Sequence, residues 1–151
     1  MVTTEFKDPG ELIDGELRLV VSKLAPADPV KGWCPAYCFE MICGGKCAGD
    51  INLRLGDYEF LITYAGQVGY NVAPEFRGRH FAARSVRLLL PLARAHGIRP
   101  LWITCNPDNI ASRRTCELAG GEMVEVVDLP QDCEMYREGE RQKCRYRFVN
   151  R

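Results

Sequence analysis

The chain has no excess of either charge: its 151 residues carry 20 lysines and arginines against 20 aspartates and glutamates. General nucleic-acid binders and proteins that cling to anionic membranes carry a net basic footprint, so no nucleic-acid and no membrane partner is expected. No apolar run approaches the ~20 residues that a bilayer-spanning helix needs. The stretch Met1 to Gly10 lacks the basic-then-apolar pattern of a secretory leader, so a soluble, cytoplasmic protein is expected. There is no repeat, low-complexity segment or linker. A length of 151 residues suits one domain, 1–151, in which the polar residues 1–15 are expected to be flexible.

Also missing is any C-x-x-C pair or compact metal-ligand knuckle, although the chain has eight cysteines. Four of these, Cys34, Cys38, Cys43 and Cys47, fall within 14 residues, which raises zinc. The spacing argues against it. Cys43 and Cys47 flank Gly44-Gly45-Lys46, a hairpin-turn signal between two apolar strands. Cross-strand disulfides are an alternative in an oxidising compartment, but reduced, partly buried thiols are the favoured reading, and no metal is expected.

What is present is a series of strand and helix signals. Residues 16–24, 37–43, 46–55, 58–64, 68–72, 101–106, 123–127 and 144–149 read as strands. The link 25–32 holds too many prolines for a regular helix. A helix is expected over 81–96, bent near Arg87 to Leu90 by Pro91 and closed by Gly97. A second runs from Asn109 to Gly120, with Asn106 as its cap and Pro107 at its first helical position. The sum is a mixed sheet with at least two helices, an α/β or α+β domain.

From Phe76 to Pro100 there are six arginines and no acidic residue. Arginines beside the unpaired N–H groups of a helix start make a site for phosphate, because the amides donate and the helix dipole favours an anion. The residues Arg77, Gly78, Arg79, His80, Phe81 and Ala82 resemble the pyrophosphate signature of the GNAT superfamily of N-acetyltransferases, with His80 in place of its central glycine. Asn109, Ser112, Glu117 and Gly120 are similar to a second pattern found in several branches of that family. The resemblance is motif-based over roughly residues 66–127 and topological outside them.

The resemblance implies a central mixed, mostly antiparallel sheet with two splayed strands, flanked by helices. It also implies acetyl-coenzyme A (acetyl-CoA) as cosubstrate. Gly78 and the amides of Arg79 to Ala83 would face the pyrophosphate, and Arg77 and Arg79 would add charge. Arg84 or Arg87 could reach the 3′-phosphate. His80 is expected to need an ordinary helical backbone, its N–H and ring being available to the ligand. Backbone groups of Tyr70 and Val72 would pair with the pantetheine arm, Val72 polarising the thioester carbonyl, and Asn106, Asn109 and Ser112 would stand on the other side. Many members carry a tyrosine in the second helix as proton donor. This chain has Cys116 there, and Cys116 and Tyr70 are the catalytic candidates. For the base, Glu40, Asp50 and Glu59 stay open, as does water.

Members of the family commonly have one or two helices between the first and second strands. This chain has only a short Pro-rich link there, which implies a more open acceptor side or one completed by a second subunit in a homodimer. The acidic residues Asp132, Glu134, Glu138 and Glu140 could border a cationic acceptor, although Arg137, Arg141 and Lys143 dilute that field. The function implied is transfer of an acetyl group from acetyl-CoA to a primary amine of a small molecule or a peptide N-terminus. The alternatives are a non-catalytic module of the same fold that binds coenzyme A or a nucleotide, and a cysteine-based metal or redox protein.

Overall fold

The computed structural model describes all 151 residues. In chain order the elements are β1 (Leu12–Asp14), β2 (Leu17–Ala25), β3 (Ala36–Cys43), β4 (Lys46–Arg54), β5 (Val68–Val72), α1 (Phe81–Ala95), β6 (Leu101–Cys105), α2 (Ile110–Leu118), β7 (Glu122–Asp128), α3 (Glu134–Arg137) and β8 (Gln142–Phe148). They build two antiparallel sheets, β1-β2-β3-β4-β5 and β6-β8-β7, in place of one continuous sheet. α1 packs on β1, β4 and β5 and against α2, which in turn covers β6 and β7.

Alternation decides which strand faces are buried. In β3, Tyr37, Phe39, Met41 and Cys43 point inward, and Ile51 and Leu53 oppose them from β4. α1 adds Phe81, Val86, Leu89 and Ala93, the helical spacing that puts one stripe on the sheet. Gly49 is required where β4 meets β5, because a methyl there would lie 2.1 Å from the Asn71 carbonyl oxygen. α1 continues through Pro91 to Ala95 as a single helix. All eight cysteines are free thiols, and no group of three or more His, Cys, Asp or Glu side chains is placed to hold a metal ion. No helix is long and apolar enough to cross a membrane.

Several expectations need correction. Residues 58–64 form no strand: the chain turns helically there and ends in a π-helical turn, Leu61–Ala65. Tyr, Phe and Ile favour strands, but Leu61 is the residue that reaches the core, and the Phe60 and Tyr64 rings meet one turn apart at 5.3 Å. The cap of α2 is Asn109, whose Oδ1 accepts from the Ser112 N–H at 3.1 Å, so Asn106 is left free for other work. The 129–142 segment is not wholly loop, since it contains α3.

Residues 1–15 are also more ordered than their polarity suggests. β1 pairs with β2, and the Thr3 N–H donates to the His96 carbonyl at 2.8 Å. His96 is fully buried at the end of α1. Its Nδ1 lies 2.8 Å from the Thr3 carbonyl oxygen, which can only accept, so Nδ1 carries the hydrogen. Nε2 is then free to accept from the Tyr37 hydroxyl at 2.7 Å. Tyr37 in turn accepts from the Lys7 N–H at 2.7 Å and packs edge-on against Phe6.

Candidate active site

Where the two sheets meet, one residue joins them. The Gln67 N–H donates to the Trp102 carbonyl at 2.8 Å, and its Oε1 accepts from the Trp102 N–H at 2.8 Å. Its Nε2 donates to the Gly56 carbonyl at 2.7 Å. Thr104 adds a bond to the Tyr64 carbonyl at 2.8 Å. Beyond this joint β5 and β6 belong to different sheets and leave a wedge between them, a cavity of about 210 Å³. Tyr70, Asn106, Asn109 and Ser112 all line it.

The register shows which edge of β5 is unpaired. Arg54 N–H donates to the Gln67 carbonyl and Ala73 N–H to the Ala48 carbonyl, so positions 67, 69, 71 and 73 bond toward β4. By antiparallel alternation the backbone groups of Val68, Tyr70 and Val72 point away from β4, and Val68 and Tyr70 line the wedge. The Val72 carbonyl accepts from Arg77 Nε at 3.2 Å, consistent with that direction.

At the end of β5 the chain passes through a 3-10 turn, Pro74–Phe76, into the start of α1. The first hydrogen bond of that helix runs from the Arg84 N–H to the His80 carbonyl. The six consecutive N–H groups from Gly78 to Ala83 make no hydrogen bond within the protein, and no side chain caps the helix. Such donors need an acceptor from outside. Two of these residues have positive φ, Gly78 at 87° and His80 at 60°. His80 therefore does not take the ordinary helical backbone expected of it: it keeps the left-handed turn that a glycine would adopt.

Around these amides lies a recess of about 260 Å³ lined by Val72, Arg77, Gly78, His80, Phe81 and Ala82 on one side. Ala111, Arg114, Thr115 and Leu118 of α2 close the other side. The Phe81, Ala82 and Ala83 side chains are buried, which leaves the unbonded amides as what this helix start has to offer a ligand. The Arg79 side chain turns toward Glu16 at 3.9 Å and over the Phe81 ring. Arg84 is committed elsewhere, donating to Asp14 Oδ2 at 2.8 Å and Glu16 Oε1 at 2.6 Å, which corrects the expectation that it reaches for a phosphate. Those bonds from Arg84 hold Glu16 below the usual carboxylate range.

Inside the wedge, the Tyr70 hydroxyl lies 2.7 Å from Ser112 Oγ and 3.7 Å from Cys116 Sγ. Burial raises the Tyr70 pKa well above that of an ordinary phenol. The Cys116 side chain is fully buried, and desolvation pushes its thiol up to about 12. The Asn106 Oδ1 is buried and has no partner, a hydrogen-bond acceptor aimed at nothing in the protein. Glu40, Asp50 and Glu59, the carboxylates considered as base, line neither the wedge nor the recess. The same holds for Asp132, Glu134, Glu138 and Glu140.

Three basic residues escaped the sequence reading as parts of this site: Lys143, read only as diluting an acidic loop, lines the wedge and pairs with Glu140 at 2.6 Å. Arg114 faces the recess, and a signal existed: Ala111, Arg114, Thr115 and Leu118 share one helical face. Arg54, at the end of β4, lines the wedge, and its Nη1 donates to the carbonyls of Ala65 at 3.1 Å and Gly66 at 2.7 Å. Nothing in the local sequence marks it.

Comparison with known proteins bears on this geometry. Residues 10–122 match a family model described as "Acetyltransferase (GNAT) domain". A search of curated protein sequences gave no match. Among solved structures, the microcin C7 self-immunity acetyltransferase MccE, in complex with acetyl-CoA and AMP, is similar with 20% identity and a TM-score of 0.59. That likeness covers 76% of this chain and 61% of MccE. The ribosomal L7/L12 α-N-protein acetyltransferase RimL, in complex with coenzyme A, is similar with 18% identity and a TM-score of 0.59, over 80% of this chain and 64% of RimL. The chain thus spans less than two thirds of the length of either protein. A Vibrio cholerae structure described as "a putative ribosomal-protein-serine acetyltransferase" aligns over 97% of this chain and 99% of its own, at 12% identity and a TM-score of 0.63. Likenesses this distant speak for the fold, and the family-model match covers most of the chain: the protein belongs to the GNAT family of acetyltransferases.

Proposed function

We propose that this protein is an acetyl-CoA-dependent N-acetyltransferase that passes the acetyl group directly to a primary amine. The observation that carries the reading is the run of unbonded N–H groups from Gly78 to Ala83, four of whose residues line a recess with Arg77 and Arg114. Acetyl-CoA, when bound, supplies an activated thioester; everything else falls to the chain's own residues.

The amides of Gly78, Arg79, His80, Phe81, Ala82 and Ala83 hold the diphosphate with Arg77 and Arg114 as charged partners. Val68, Tyr70 and Val72 offer outward N–H and carbonyl groups to the amides of the pantetheine arm, as an added strand would use them. Asn106 Oδ1 accepts an N–H from the opposite side, and Asn109 and Ser112 shape that wall. The Val72 N–H donates to the thioester carbonyl as negative charge develops there. Tyr70 keeps its proton because it is buried, and Ser112 orients its hydroxyl to hydrogen-bond the departing sulfur as negative charge develops there. Cys116, deeper and above the usual thiol range, fills the floor beneath Tyr70. With no carboxylate in the wedge, the acceptor enters as the neutral amine and releases its proton to water. His80 is no obstacle, since it reproduces the backbone turn of the glycine it replaces, and this favours a working site over a vestigial binding module.

The test is thermal unfolding with acetyl-CoA, using ATP and a chelator for comparison. A ligand at one hundred times its Kd stabilises by about 2.7 kcal/mol, or roughly 5–10 °C for a chain of this size. A saturable shift that Arg77→Ala weakens is the expected result. No shift with the coenzyme would overturn the reading.

A further inference from the structure

Beside the wedge lies a larger cavity, about 720 Å³, that shares Arg54 and Ala65 with it. This volume suits a small molecule. Three large aromatic side chains border it, Trp33, Tyr58 and Phe60, and all three are exposed to solvent. The cavity lies beneath the irregular link between β2 and β3, where Asp28 and Trp33 bridge to each other.

Its charges are of one sign. Lys31 and Arg54 are the only charged residues in its lining, and no carboxylate is among them. Neither cation makes an ion pair anywhere in the protein. Lys31 Nζ sits 4.4 Å over the Trp33 ring. Arg54 is largely withdrawn from solvent, held by two backbone carbonyls through Nη1, with Nη2 passing Gly69 so closely that a methyl there would come within 2.8 Å. A partly desolvated guanidinium with no acidic partner calls for an anion.

Resting on the acetyltransferase reading, we propose that this cavity is the acceptor site and that its substrate is a small aromatic primary amine carrying an anionic group beside the nitrogen. The chemical class is the aromatic α-amino acids and their phosphonate counterparts. The ring lies among Trp33, Tyr58 and Phe60, and the anion binds Arg54 with Lys31 behind it. Because Arg54 stands where cavity and wedge join, the anion it holds places the adjacent amine at the mouth of the wedge. Two nearby cations also disfavour the ammonium form, so the same field that binds the anion presents the neutral nucleophile. In the transfer, nitrogen forms the bond to the acetyl carbon as the carbon–sulfur bond breaks. One amine proton passes to water, and the sulfur leaves as the thiol or thiolate of coenzyme A.

The experiment compares phenylalanine, its aminophosphonate analogue, phenethylamine and a short peptide amide with a free N-terminus, reading both thermal shift without coenzyme and release of free thiol with acetyl-CoA. Loss of a charge-assisted contact is worth about tenfold or more, so kcat/KM for at least one anionic compound should exceed that for phenethylamine by that factor. Which anion gains more separates carboxylate from phosphonate. Lys31→Met, at an exposed position outside the wedge, should shrink the ratio while the shift with acetyl-CoA stays intact, and Arg54→Gln should shrink it further. Equal or better binding and turnover of phenethylamine, preference for an amidated peptide N-terminus, or no shift and no turnover with any anionic amine would overturn the proposal. If acetyl-CoA gives no shift while the anionic amines still bind in preference to phenethylamine, the acetyltransferase reading fails and this binding site stands.

Discussion

His80 offers a sharp test because its backbone and its side chain make separable predictions. It caps α1 at φ 60°, ψ 28°, in the left-handed region. That conformation costs a non-glycine residue roughly 1–2 kcal/mol. Histidine belongs toward the lower end, since it is enriched there over other non-glycine residues. Replacing it with glycine removes the strain but adds roughly 0.5–1 kcal/mol of chain entropy to the unfolded state. His80→Gly should therefore leave stability between unchanged and about 1 kcal/mol higher, at most roughly 2–4 °C in Tm for this length. His80→Val, β-branched and poorly suited to positive φ, should cost roughly 1–3 kcal/mol. Neither change removes an amide from the Gly78–Ala83 run, so the glycine variant should bind acetyl-CoA within about threefold of the parent, a difference below ~0.7 kcal/mol. Scanning calorimetry gives the stability order and titration calorimetry the affinity. A valine variant that melts at or above the glycine variant would refute the strain argument. A large loss of affinity in the glycine variant would show that the ring, and not the backbone turn, is what the ligand needs.

Other expectations follow from the same contacts. Tyr70→Phe keeps the ring but removes the hydroxyl bonded to Ser112, and should lower kcat on the order of 10²-fold with little change in the acetyl-CoA Kd; an unchanged kcat would exclude Tyr70 as the donor. Arg84→Ala should lower Tm yet leave coenzyme affinity intact, because its partners are Asp14 and Glu16. Glu16 titrates below the usual carboxylate range, so its contribution is full at neutral pH and is lost as pH falls through its lowered pKa. The stability gap between parent and Arg84→Ala, followed by urea denaturation, should accordingly narrow on acidification below about pH 4. Cys116, buried and with its pKa near 12, should resist iodoacetamide at pH 8 in the folded protein, while exposed Cys47 should react, as peptide mass mapping would show.

The parts of this molecule that follow from local pattern were legible in its sequence. Gly44-Gly45 turned β3 into β4, the apolar stripe placed α1 against the sheet, and the arginine-flanked loop ahead of Phe81 marked the unbonded amides. What was hidden depends on partners distant in the chain. Tyr58 to Tyr64 looked like a strand because its residue types favour one, whereas the segment turns helically and buries Leu61 alone. Arg84, considered with Arg87 for the 3′-phosphate, is instead met by Asp14 and Glu16, about 70 residues earlier in the chain. Arg54 gave no local sign at all: its importance comes from standing where two cavities join. His80 was misjudged in the opposite sense, since residue identity suggested a lost turn that the backbone in fact retains.

The buried bonds around His96 give α1 a mechanical character. The helix is a beam of 15 residues, roughly 22 Å long at 1.5 Å per residue. One end carries the amides of the candidate coenzyme loop. The other is bolted through a single imidazole to Tyr37 on the large sheet and to Thr3 near the start of the chain. Aim at the loaded end therefore depends on a clamp at the remote one. Trimming the first few residues, or replacing Tyr37 with phenylalanine, would loosen that clamp, and the six donors would point less accurately although nothing near them had been touched.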